Sequence, residues 1–271
     1  MSVPLAERRI LAMGGGGFSV SLADAPLEHY IAGLAPRDEP RICLLPTASG
    51  DPDDQIQRFY RSFRGLGELS HISLFRLGTH PMSPEHHLLA QDVIYVGGGS
   101  LANLLAIWRV HELDRVLPEA WERGIVLCGV SAGSMCWFEA GVTRSHGRSR
   151  PAQGLGLLPG SNSVHDSSDP ERRACHRSAV AEGLVPPGYG VDDGVGLLFA
   201  GTKLVDVVSA RPGAVAHRVD ASEGEPLETA ISPRLLELPG GARNGDAPVE
   251  IAEFRNARRA RLDAARRSRG A

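Results

Sequence analysis

Gly129-Val130-Ser131-Ala132-Gly133-Ser134 follows directly on the apolar run 125–128 and precedes a helix-like stretch. This is G-x-S-x-G in a strand–turn–helix setting, where the pattern carries chemical meaning. A serine at the tip of so sharp a turn sits in a strained backbone, and flanking glycines remove side chains that would collide. Ser131 Oγ would then stand clear of the sheet at a helix N-terminus, whose dipole and free N–H groups favour developing negative charge. The plainer alternative is a glycine-containing turn with an incidental serine.

A serine attacks poorly without a base, and the chain offers ten histidines. His29, His71, His111 and His217 fall in expected helices or strands and read as surface or packing residues. His80, His86 and His87 belong to a Pro/Met/Ser-containing segment, HPMSPEHH, read as an exposed loop with no cysteine or carboxylate cluster beside it to make a metal site. His146, His165 and His176 remain, all downstream of Ser131; His165, in SNSVHD after a short apolar approach at 155–158, is the best placed. Acids in the same section are Asp166, Asp169, Glu171, Asp192 and Asp193. The pair Asp192-Asp193, between Gly190-Val191 and Gly194, forms a second sharp turn before a strand, where either carboxylate could orient an imidazole. The Ala132 N–H is the natural first oxyanion donor, and bare backbone at Gly97-Gly98-Gly99 offers the second. The run Gly14–Gly17 does not fit G-x-G-x-x-G and is weak support for phosphate binding.

These residues need a frame. Apolar runs at 9–13, 41–45, 71–76, 92–96 and 125–128 are each four to six residues long, and most lead into glycine or turn residues. Helix patterns lie between and after them at 27–32, 53–65, 100–108, 110–123 and 134–140. Strand, glycine-rich turn and helix repeated in this way predict a doubly wound, mostly parallel α/β sheet with helices on both faces and ligands beyond the strands' carboxyl ends. The section 142–195 reads mainly as loops with one helix at 172–182, followed by three successive antiparallel strands at 196–201, 204–209 and 214–219. A linker at 238–248 and an Arg/Ala-rich helix or tail at 250–269 follow a domain spanning 1–237.

Composition narrows the function classes. The chain has 271 residues, a net charge of −3 and a 42% hydrophobic content, which exclude global disorder and collagen-like or coiled-coil character. No apolar stretch reaches the roughly 18 residues of a membrane-spanning helix, and the first residues lack a signal peptide's apolar core, so a cytoplasmic protein is expected. Lys203 is the single lysine among 29 basic residues. Dispersed among 32 acids, these residues leave no nucleic-acid footprint. Only from Glu253 to Arg269 do seven arginines outweigh two acids, which reads as a solvated helix or tail. Cys43, Cys128, Cys136 and Cys175 have no C-x-x-C spacing and read as buried free thiols.

ILAMGGGGFS, LLPTASG, IYVGGGSLANLL, GVSAGS, GLGLLPGSNSVHDSSDPERR and GVDDGVGLLF, in this order along the chain, together resemble the aspartyl dipeptidase (dipeptidase E) and cyanophycinase family of serine peptidases. The resemblance spans roughly residues 8–220. It implies a class I glutamine amidotransferase-like α/β fold, Ser131 as nucleophile, His165 as general base and Asp193 as the acid, where the dipeptidase has glutamate. The turn carrying Gly98 and Gly99 matches the oxyanion and substrate-binding turn. No cofactor or metal is implied; the expected partner is a small peptide substrate, with neither membrane nor nucleic acid, and a homodimer is compatible with the resemblance. Some members carry an aspartate about 15 residues after the nucleophile, and the stretch 141–146 here has none. For a substrate aspartate, Arg144, Arg148, Arg172 and Arg173 are the basic candidates, although Arg172-Arg173 reads first as a solvated helix start. The expected activity is hydrolysis of short peptides, including dipeptides with N-terminal aspartate. A non-catalytic amidotransferase-like binding module and an esterase on the same triad are the alternatives. Amidotransferase chemistry is disfavoured because the elbow holds serine; Cys128 lies three positions earlier, inside the strand.

Overall fold

Short runs of Ile, Leu and Val separated by helices bury both faces when the strands pair in parallel and the helices cross over. The computed structural model, which describes residues 2–19, 25–79 and 83–237, has this arrangement. Strands β1 (Arg9–Met13), β2 (Arg41–Leu45), β3 (Glu68–His71), β4 (Val93–Val96) and β5 (Val126–Val130) run parallel in the order β1-β5-β4-β2-β3. The connections carry α1 (Ala25–Leu34), α2 (Asp53–Ser62), α3 (Pro84–Leu89), α4 (Leu101–Val110) and α5 (Leu113–Glu122). Side chains alternate between the two faces of a strand, and both faces are apolar. Leu11, Met13, Leu44 and Tyr95 pack with Leu27, Ile31 and Phe59 of α1 and α2. Ile10, Ala12, Leu45, Ile94 and Leu127 pack with Leu104, Trp108 and Leu117 of α4 and α5 on the other side.

Beyond β5 the chain passes through α6 (Ala132–Met135) into β6 (Phe138–Thr143), β7 (Arg150–Gln153), β8 (Leu158–Val164), α7 (Pro170–Ala181) and β9 (Gly188–Val191). It then returns to the first sheet as β10 (Val195–Ala200), antiparallel to β1, and β11 (Lys203–Ser209), antiparallel to β10. Strands β12 (Ala216–Ser222) and β13 (Glu225–Ile231) join a second sheet of order β13-β12-β9-β8-β6-β7, and β14 (Arg234–Leu235) closes the first sheet beside β11. Phe138, Leu158, Val164 and Val191 of the second sheet share the α4/α5-side core of the first. Ala179 and Val180 of α7 form a small core with Ala140 and Val219 of the second sheet.

Several expectations need correction. The section 142–195 is not mainly loop: it supplies β7, β8 and β9. Its strands escape an apolar-run reading because β8 is LPGSNSV and β9 is GYGV, and pairing with neighbours outweighs their weak intrinsic preference. The helix expected at 134–140 ends at Met135, and Phe138–Thr143 is strand β6. The run expected at 71–76 is a strand only to His71, after which Leu74–Thr79 winds as 3-10 helix. His86 and His87 lie on α3, capped by Ser83, and not in a loop. The third expected antiparallel strand, β12, pairs with β9 and β13 in the other sheet. His80, the linker at 238–248 and the Arg-rich segment at 250–269 lie outside the described residues.

Candidate active site

The carboxyl end of β5 feeds a turn in which Ser131 has φ 55 and ψ −113 before α6 begins. A residue with a Cβ held at positive φ is a strained one, sustained only by its surroundings. The Ser131 N–H donates to the Met13 carbonyl at 3.0 Å, while its own carbonyl accepts from the Ser134 and Met135 N–H groups. The flanking glycines answer a steric need: a Cβ on Gly129 would run into the Gly133 carbonyl, and one on Gly133 into that of Val96.

His165 sits just past β8, itself at φ 58. Ser131 Oγ lies 3.0 Å from His165 Nε2, and His165 Nδ1 lies 2.5 Å from Asp193 Oδ1. With the Nδ1 proton directed at the carboxylate, Nε2 is free to accept from the serine hydroxyl. Ser168 Oγ donates to the other Asp193 oxygen at 3.1 Å. The hydrogen bond from His165 is the main cause that holds the Asp193 carboxyl below its ordinary range, against the opposing effect of burial. The two aspartates therefore part company. Asp192 accepts from the Ser167 and Val215 N–H groups at 2.8 and 3.0 Å and braces two loops, whereas Asp193 faces the histidine.

The first glycine run has a related use. Gly15 forms a parallel bridge with Asp193, and a Cβ there would overlap Asp193 Oδ1 and come within 2.6 Å of the His165 ring. In the second run, the Gly97 N–H donates to Leu45 and the Ser100 N–H to Ala48, with Gly98 and Gly99 between them. A Cβ on Gly98 would lie 3.3 Å from Ser131 Cβ, so its backbone is beside the serine. Ala132, as the first residue of α6, has an N–H outside the helix's own bonds.

A cavity of about 310 Å³ opens at the serine, lined by Ser131, Gly99, Ser100, Thr143, Arg144 and Arg172 among others. This corrects the reading of Arg172 as a solvated helix start: only 9% of it is exposed. Arg173 points elsewhere, pairing with Glu228 at 2.9 Å, and Arg148 does not line the cavity. His146 is exposed. His176 is fully buried against Ser161 Oγ, and that burial pushes it down to about 4. Cys128 is buried within β5 and its thiol is pushed up by burial, so it offers no nucleophile. Sequence reasoning missed the buried ion network behind the histidine, in which Asp166 takes a two-pronged contact from Arg177 at 3.2 and 3.3 Å and one from His217 at 3.1 Å. Its signal was the i, i+4 spacing of Arg173 and Arg177 on one face of α7. Among the described residues, no group of three or more His, Cys, Asp or Glu could hold a metal ion, and no helix is long and apolar enough to cross a membrane.

A serine on a strained elbow at the end of a parallel strand, with a histidine in reach, marks the class as a serine-type hydrolase on a mostly parallel α/β sheet. The chain belongs to peptidase family S51, whose model matches residues 10–207, and it is a serine-type peptidase. It is similar to YgaJ of Bacillus subtilis (strain 168), an uncharacterized peptidase, with 43% identity over 230 residues that cover 84% of this chain and 99% of the relative. Among solved structures it is similar to a peptidase from an acI-B1 actinobacterium, at 20% identity and TM-score 0.64, covering 83% of this chain and 94% of that one. It is also similar to a candidate peptidase E protein from Listeria monocytogenes EGD-e, at 17% identity and TM-score 0.54, covering 73% of this chain and 96% of that one. At these identities the likeness to the solved structures is one of fold.

Proposed function

We propose that Ser131, His165 and Asp193 form the catalytic triad of a peptidase acting on short peptides, including dipeptides with an acidic N-terminal residue. The observation that carries this reading is the unbroken relay of Ser131 Oγ, His165 Nε2, His165 Nδ1 and Asp193 Oδ1, at 3.0 and 2.5 Å. His165 Nε2 accepts the hydroxyl proton as Ser131 Oγ attacks the peptide carbonyl, and Asp193 steadies the imidazolium that forms. The Ala132 and Gly98 N–H groups receive the charge on the carbonyl oxygen, and the Gly99 backbone borders the bound peptide. His165 then returns the proton to the leaving amine, the acyl group remains on Ser131, and water activated by the same histidine releases it. Arg144 and Arg172 in the adjoining cavity favour a substrate carboxylate. The test is hydrolysis of a dipeptide panel containing Asp-Leu, Asn-Leu and Ala-Leu by the full chain and by Ser131→Ala. Turnover that is fastest for Asp-Leu and absent in Ser131→Ala is expected; turnover undiminished in Ser131→Ala would overturn the assignment.

A further inference from the structure

Two guanidiniums beside one nucleophile raise the question of what holds them there. Arg144 comes from the turn after β6 and Arg172 from the first turn of α7, and both line the cavity at Ser131. The positive end of the α7 dipole disfavours cations at that place. Burial first, and then the charge of Arg144, weigh against the protonated form of Arg172. The element that reconciles them is Asp169. It is the N-cap of α7, and its Oδ1 accepts the Arg172 N–H at 3.2 Å. Arg144 Nη1 donates to both of its oxygens at 3.3 and 3.2 Å, and Arg172 Nε lies 3.4 Å from Oδ2. Its own N–H donates to the His165 carbonyl at 2.7 Å, tying the cluster to the histidine's loop. Glu171 also reaches Arg144, at 3.6 Å, but its side chain is 59% exposed against 15% for Asp169, so water and salt screen it far more.

We propose that Asp169 is a specificity-determining residue: it fastens Arg144 and Arg172 together as a receptor for a substrate carboxylate and cancels one of their two charges. This rests on the reading that the acidic group of a peptide enters the cavity at Ser131. The cluster of Arg144, Arg172 and Asp169 then carries one net positive charge, enough to prefer a carboxylate over the isosteric amide and low enough to release an acidic product. The two roles of Asp169 separate chemically. Asparagine caps helices as well as aspartate does and keeps an oxygen for the Arg172 N–H and Arg144, but it carries no charge.

The experiment measures binding without turnover, by calorimetry of Asp-Leu and Asn-Leu against Ser131→Ala and the double variant Ser131→Ala/Asp169→Asn. The selectivity for Asp-Leu over Asn-Leu is expected to rise about tenfold when the resident charge is removed. Asp169→Ser, a second uncharged cap, should shift it in the same direction, and Arg172→Gln should lower it. Unchanged or reduced selectivity in both cap variants, with the fold intact by circular dichroism, would overturn the proposal, as would failure of Ser131→Ala to bind Asp-Leu. Hydrolysis of the same pair by the wild-type chain is read separately. Raised selectivity with no turnover would sink the triad and uphold the receptor; Ser131-dependent turnover with unchanged selectivity would do the reverse.

Discussion

Replacing Gly15 with alanine adds a single methyl group where the acid and the base of the relay meet. That carbon would lie 2.6 Å from His165 Cε1 and Nδ1 and would overlap Asp193 Oδ1. Non-bonded carbon contacts settle near 3.5–4.0 Å, so the ring must retreat by about 1 Å. It cannot do so and keep both the 3.0 Å approach to Ser131 and the 2.5 Å bond to Asp193. A misplacement of about 1 Å in a reacting group costs on the order of 10²-fold in rate. The imidazole and carboxylate are partly exposed, at 28% and 27%, so they can yield without disturbing the core. Gly14→Ala is the contrasting variant, because its added carbon would meet the backbone carbonyls of Val191 and Asp192, which cannot yield. The expected outcome is a kcat/KM about 100-fold lower for Gly15→Ala with little change in Tm, and a clear loss of Tm for Gly14→Ala. Dipeptide hydrolysis and thermal melts on the full chain measure both. A Gly15→Ala protein within about threefold of wild-type kcat/KM would refute the steric reasoning.

Three further outcomes are expected. Asp193→Asn keeps the shape but removes the charge that selects the histidine tautomer, and should lower kcat by about 10³–10⁴-fold with KM little changed, as steady-state kinetics would show. Asp192→Ala, which strips acceptors from the Ser167 and Val215 N–H groups, should instead reduce stability by about 1–3 kcal/mol in urea titration. Stability should also fall with acid through His176. Its folded value of about 4 is below its ordinary 6.5, so between those values the unfolded chain binds a proton that the native chain refuses. The contribution is complete above pH 6.5 and shrinks by about 3 kcal/mol as pH falls to 4. Urea titrations across that range should give a steeper pH dependence for wild type than for His176→Gln, and equal slopes would refute the assignment.

The sequence was most legible where physics leaves few choices. Only glycine fits at 129 and 133 beside a strained serine, and four of the five apolar runs could be little else than buried parallel strands. Of the three histidines that remained downstream of Ser131, His165 was best placed because it followed a short apolar approach at 155–158, and it is the one that lies 3.0 Å from Ser131 Oγ. What stayed hidden depends on pairing across long separations. Strand β8 carries Ser161, Asn162 and Ser163 where an apolar pattern would have announced it, because it is buried between β6 and β9, and β9 itself is only GYGV. Local spacing equally could not separate Asp192 from Asp193; adjacent residues face opposite ways, and only the positions of Ser167, Val215 and His165 decide which carboxylate does what. Arg172 read as solvated because charged residues at a helix start usually are. Its burial follows from Asp169 and from the cavity wall, neither of which a helical pattern encodes.

The most direct measurement is mass spectrometry of the full chain after reaction with a fluorophosphonate, which phosphonylates only a serine activated by its neighbours. A single adduct on Ser131, formed by the wild type, greatly slowed in His165→Gln and absent in Ser131→Ala, is the predicted result. A folded wild-type chain that takes no adduct, or that takes it on another residue with Ser131 untouched, would contradict the triad.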